Sequence, residues 1–148
     1  MGERLTAPPE IEVIVEANEK PRILVVDDDP NMCETVERTL RRAEYEVRTA
    51  QTGAEAEAAL AEQEYDLLVL DRVLPDADGV ELLGELRGRG FAGAALIITA
   101  HPTLETAIDA LGYWACDYLQ KPFKPEDLLQ RVSQTLSAEL AFDRMSYL

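Results

Sequence analysis

A chain of 148 residues, with 29 acidic against 14 basic side chains and a formal net charge of −15, is long enough to bury a core without disulfide or metal staples. The acidic field argues against direct nucleic-acid binding by this chain, since phosphate backbones repel it, and clustered carboxylates point instead to a hard cation such as magnesium. Cys33 and Cys116 match no zinc spacing and read as free thiols in a reducing cytoplasm, and no apolar run approaches the roughly 20 residues of a membrane span.

Residues 1–20 read as an acidic N-terminal extension, broken by Pro8 and Pro9 and lacking the apolar centre of a signal peptide. Within it Ile11, Val13 and Val15 have the alternation of a half-buried strand. The main domain is expected over 21–138, with 139–148 as a helical extension or tail.

The run at 23–26 (ILVV) is short, apolar and mostly β-branched, as a strand buried on both faces should be. It ends in Asp27-Asp28-Asp29, and Pro30 then opens a helix expected to face the core with Cys33, Val36, Leu40 and Ala43. A second strand is predicted at 45–50 (YEVRTA), and Thr52 caps an Ala/Glu-rich helix running to about Gln63. The third strand, 66–70 (DLLVL), runs into Asp71. A loop with Pro75, Asp76, Asp78 and Gly79 leads to a helix over 80–87 (VELLGELR), closed by Gly88 and Gly90.

The fourth strand, 94–98 (AALII), ends in Thr99, and a helix is predicted over 103–113. A short fifth strand at 117–119 stops at Lys121-Pro122. Pro125 opens a last helix with Leu128, Leu129, Val132, Leu136 and Leu140 turned inward. Asp29 and Asp78 read as ordinary helix caps.

Strands alternating with helices in this way define an α/β fold, a single doubly wound (βα)5 domain around a five-stranded parallel sheet. Ligands bind such sheets outside the carboxyl ends of the strands. Those ends carry Asp27 and Asp28 on the first strand, Asp71 on the third, Thr99 on the fourth and Lys121 beyond the fifth. Each alone is an unremarkable loop residue; together they suit phosphoryl transfer. Carboxylates hold magnesium, one of them serves as nucleophile, and the cations and the hydroxyl meet the charge on the transferring group. A phosphatase with an aspartyl nucleophile wants a second acid where Val73 stands, and a nucleotide or flavin binder wants glycines where Asp27-Asp28-Asp29-Pro30 stands.

The stretches ILVVDDDP, YDLLVLDRVLPDADGVELL, LIITA and DYLQKPF resemble the receiver domains of two-component response regulators, in register from about Arg22 to Ser137. The resemblance implies strand order 2-1-3-4-5, with Asp71 as the phosphoacceptor. It implies Mg2+ held directly by Asp28, Asp71 and the Val73 carbonyl, and by Asp27 mainly through water. Thr99, Ala100 and Lys121 would contact the phosphoryl group, Tyr118 would be the aromatic that turns on activation, and Lys121-Pro122 would be cis. Val73 and His101 occupy positions that tune hydrolysis in the family: an apolar Val73 favours a longer-lived phosphate, and His101 would offset that by orienting water.

By the same resemblance the chain is a signalling switch rather than an enzyme, one that assists only its own phosphorylation and dephosphorylation. Its implied partners are a sensor histidine kinase or phosphotransfer protein, a downstream output protein or domain, and a second copy in a homodimer. The output face would be built from the fourth helix, fifth strand and fifth helix. Trp114 departs from the family pattern, standing where glycine is usual, and implies a reshaped loop before the fifth strand. Retention of all five site residues argues against a receiver that signals without phosphate.

Overall fold

The computed structural model describes residues 20–100 and 116–145, the side chains of 116 and 138–145 excepted. Its five strands are β1 (Arg22–Val26), β2 (Glu46–Ala50), β3 (Leu67–Asp71), β4 (Ala94–Thr99) and β5 (Cys116–Gln120). The described helices are α1 (Pro30–Arg42), α2 (Gly53–Glu62), α3 (Gly79–Gly88) and α4 (Pro125–Met145). All strand pairs are parallel, in the order β2-β1-β3-β4-β5. The expected helix over 103–113, Trp114, the N-terminal alternation and the side chain of Leu140 lie outside the described residues.

The unbroken apolar runs divide by parity, because successive strand side chains point to opposite faces. Leu24, Val26, Leu68, Leu70, Ala95 and Ile97 pack with Ala56 and Ala59 of α2 and Leu82, Leu83 and Leu86 of α3. Ile23, Val25, Leu67, Val69, Leu96 and Ile98 pack on the other face with Val36 and Leu40 of α1 and Leu128 and Val132 of α4. No strand alternates apolar with polar at the centre of the sheet because helices cover both sides.

Two details of the helices differ from expectation. Ala43 is exposed rather than in the core, because α1 stops at Arg42 and Ala43 is its C-cap. Beyond it Glu44 takes a left-handed φ of 71°, donating its N–H to the Arg41 carbonyl while Tyr45 donates to the Leu40 carbonyl. This is the hydrogen-bond pattern of a Schellman cap with glutamate where glycine is cheapest. Glu44→Gly is therefore expected to stabilise the fold by about 0.5 kcal/mol, the relief of left-handed strain exceeding the entropy that glycine adds to the unfolded chain. The check is a higher urea midpoint at unchanged slope; an equal or lower midpoint contradicts it. In α4, Thr135 is buried where the pattern showed only leucines and valine, its hydroxyl donating to the Arg131 carbonyl at 2.7 Å, one turn back.

Candidate functional site

β1 and β3 are neighbours, yet their outgoing chains lead in opposite directions, β1 towards β2 and β3 towards β4. The loops diverge there and leave a crevice above the sheet. Val26 lies beside Leu70 in the parallel register, so the next residues upward are Asp27 and Asp71. Carboxylate oxygens of Asp27, Asp28 and Asp71 come within 4.8 Å of one another, the first and last buried and Asp28 exposed.

Lys121 closes the cluster from beyond β5. Its Nζ lies 3.1 Å from Asp27 Oδ2 and 3.2 Å from Asp71 Oδ2, and the Lys121–Pro122 peptide bond is cis. The remaining oxygens have local donors: Asp27 Oδ1 accepts from the Asp29 N–H at 2.9 Å, and Asp71 Oδ1 from the Val73 N–H at 3.2 Å.

The electrostatics follow from this geometry. Burial pushes the Asp71 carboxyl above its ordinary value, the Val73 N–H opposes that, and the charge of Asp27 adds to it, against the pull of Lys121. Burial works against the Lys121 ammonium, but its bonds to Asp27 and Asp71 outweigh this and hold its pKa above the usual range. Three carboxylates thus face one ammonium, and the excess negative charge is what a divalent cation relieves. Hard oxygen donors, two seated in the floor and one on the open side, suit magnesium, which keeps several waters.

The other sequence-derived positions fall around this centre. Thr99 ends β4 and is buried, and strand parity puts it on the face of Ile97. Tyr118 is half-buried and packs against the core on that same face, beside Ile97 in the register. Arg131 of α4 donates to the Tyr118 carbonyl and pairs with Asp117. Ala100 is exposed at the rim, and the Val73 side chain is 71% exposed. His101 lies outside the described residues.

Asp29 caps α1 through the Asn31 N–H at 2.9 Å, and Asp78 caps α3 through Val80 and Glu81. Cys33 lies beneath the site, its Sγ donating to the Asp27 carbonyl at 3.1 Å. Burial pushes its thiol up to about 11, so it stays protonated and unreactive. Sequence reasoning gave Asp76 no role beyond the loop, yet it bonds to the start of α2, a contact between elements with no local sequence signature.

The fold and this acidic crevice define a receiver module of the two-component type. Residues 23–133 match the family described as "Response regulator receiver domain", and the chain belongs to that family. It is 41% identical over 115 residues to the response regulator MprA of Mycobacterium tuberculosis, which covers 78% of this chain and 50% of MprA. The chain thus spans about half the length of that relative. Among solved structures it is similar to a CheY-like receiver domain protein from Methanospirillum hungatei, with TM-score 0.77 and 30% identity over 83% of this chain and 98% of the other. It is also similar to TrrA of Thermotoga maritima, solved in complex with Mg2+ and BeF, with TM-score 0.69 and 31% identity over 78% of this chain and 98% of that one. The cluster of Asp27, Asp28 and Asp71 matches the family's phosphoacceptor site.

Proposed function

We propose that this chain takes a phosphoryl group on Asp71 from the phosphohistidine of a sensor kinase or phosphotransfer protein, and signals through the change that follows. The observation that carries the reading is Lys121 Nζ bridging Asp27 and Asp71 inside a three-carboxylate crevice at the switch point of the sheet. An Asp71 carboxylate oxygen attacks phosphorus; the new O–P bond forms as the donor's N–P bond breaks, and the electron pair leaves on the imidazole nitrogen. Asp28, Asp71 and the Val73 carbonyl, with Asp27 through water, would hold a magnesium ion, which when bound supplies positive charge against the phosphoryl oxygens.

Lys121 stays charged and faces the same oxygens. Thr99 donates its hydroxyl to the group from the end of β4, and the Ala100 amide lines the rim beside it. Tyr118 shares the Thr99 face, so movement of Thr99 towards the phosphate changes the space its ring can occupy. The partner-reading face includes β5 and α4, on an autonomous domain over 21–138 flanked by an acidic arm and a C-terminal extension, working in the cytoplasm. Val73 offers no side-chain hydrogen bond to an attacking water, which favours a slowly hydrolysed phosphate, and His101 counters that if it orients water.

The test is intact mass after incubation with magnesium and acetyl phosphate. The expected result is a gain of one phosphoryl group in the wild type and none in Asp71→Ala. No gain in a folded wild-type protein sinks the reading and leaves a phosphate-independent interaction module.

A further inference from the structure

The segment after Asp71 forms a narrow hairpin. Val73 bridges Asp78 in antiparallel fashion, Leu74 donates to the Ala77 carbonyl at 3.1 Å, and Gly79 donates to the Arg72 carbonyl at 2.6 Å. At its base, the Val73 N–H holds Asp71 Oδ1. Near its tip, Asp76 reaches sideways to the N-terminus of α2, where Oδ1 accepts from Gly53 N–H at 2.9 Å and Oδ2 from Ala54 N–H at 3.1 Å.

Thr52 caps the same helix separately, its hydroxyl accepting from Glu55 N–H at 3.0 Å, while Ala56 N–H donates to the Thr52 carbonyl. The first three helical amides of α2 are therefore satisfied by two side chains of different origin, one local and one from the phosphoacceptor hairpin. Gly53 leaves the room for this, since a Cβ there would sit 3.3 Å from Asp76 Oδ1.

We propose that Asp76 is a positioning residue for the phosphoacceptor site, its carboxylate clamped on the α2 N-terminus holding the hairpin that aims the Val73 main chain at Asp71. The inference rests on the function proposed above, because it concerns the same site. A carboxylate on two amides restrains the hairpin in two directions, whereas one hydrogen bond is a pivot. Only Leu74 and Pro75 separate Val73 from Asp76, so rotation of the hairpin tip is felt by the Val73 N–H and carbonyl. The linkage is reciprocal: whatever engages Asp71 and Val73 is felt at the Gly53 and Ala54 amides.

Asp76→Ala and Thr52→Ala separate this role from simple support of α2. Both remove a cap from the same helix end, so both are expected to lower the thermal midpoint by comparable amounts. Only Asp76→Ala is expected to weaken Mg2+ binding measured calorimetrically, by about tenfold, the low end of what loss of a group orienting metal ligands costs. Asp76→Asn keeps the shape and one acceptor, and is expected to fall between Asp76→Ala and the wild type.

In amide NMR spectra, Mg2+ is expected to shift Gly53 and Ala54 in the wild type and in Thr52→Ala, and to leave them unmoved in Asp76→Ala. Equal Mg2+ affinity in Asp76→Ala and Thr52→Ala overturns the proposal, as do shifts near Asp71 that never reach Gly53 and Ala54; either result leaves the proposed function standing. Absence of any Mg2+ response in the wild type overturns both together.

Discussion

Asp71→Asn is expected to abolish phosphorylation by acetyl phosphate completely and, in the same protein, to raise the thermal midpoint. The two effects have one cause. Asp71 is 8% exposed, stands within the carboxylate cluster, and is held above its ordinary pKa by burial first and by the charge of Asp27 as well. When ionised, Asp71 is therefore a charge the fold would be more stable without. Asparagine removes that charge at nearly constant volume and keeps one acceptor, for either the Val73 N–H or Lys121, while Lys121 retains Asp27 at 3.1 Å. One hydrogen bond is lost, so the net gain is about 1 kcal/mol, in the usual range for relieving a strained functional site. For a domain of this size that is roughly 3–6 °C.

The sign of the pH dependence provides an internal check. A carboxyl whose folded pKa is raised binds its proton more tightly in the folded state, so its destabilising effect is absent below the unfolded value and complete above the folded one. The advantage of Asp71→Asn over the wild type, measured without Mg2+, should be full above the raised folded pKa of Asp71 and shrink as the pH falls through it towards the unfolded value. A constant difference at every pH would mean that the charge of Asp71 is not the cause. Added Mg2+ should narrow the difference at pH 7, since the cation stabilises the wild-type cluster in preference.

Most of the architecture was legible because the central strands β1, β3 and β4 announce themselves as short apolar runs and three of the described helices by their caps. Asp29-Pro30, Thr52 and Asp78 all occupy the positions the pattern assigns them. The meeting of Asp27, Asp71 and Lys121 followed from one topological fact, that parallel strands deliver their carboxyl ends to the same rim. What escaped was what depends on contacts between elements. The burial of Thr135 is masked by its type, since its hydroxyl is satisfied within its own helix. The clamp of Asp76 on α2 spans more than 20 residues of sequence and obeys no period. Ala43 shows the limit of periodicity itself, which continues a stripe past the residue where the backbone has already turned.

Gly79→Ala is expected to be the most damaging single-methyl change in the molecule's phosphoacceptor region. A Cβ at Gly79 would collide with the Asp71 carbonyl oxygen and lie 2.9 Å from Arg72 Cα, both backbone atoms that no rotamer change can withdraw. The helix start and the end of β3 must therefore separate, stretching the bond from Gly79 N–H to the Arg72 carbonyl and with it the hairpin between them. Overpacking costs about 1–3 kcal/mol, and more where the neighbours are backbone that cannot give way, so about 3 kcal/mol is expected here, a large share of a typical stability of roughly 5–15 kcal/mol. Gly88, at the other end of α3, is the matched control, since a Cβ there meets nothing within 4 Å. Alanine at that position should be neutral or stabilising by up to about 1 kcal/mol from helix propensity. Urea unfolding of the two variants side by side decides the matter. If Gly79→Ala falls within about 1 kcal/mol of the wild type, the close approach of α3 to β3 is not what holds the site together. If it unfolds far earlier while Gly88→Ala does not, the glycine that ends the PDADG turn is there to let a helix rest directly on the backbone of the phosphoacceptor.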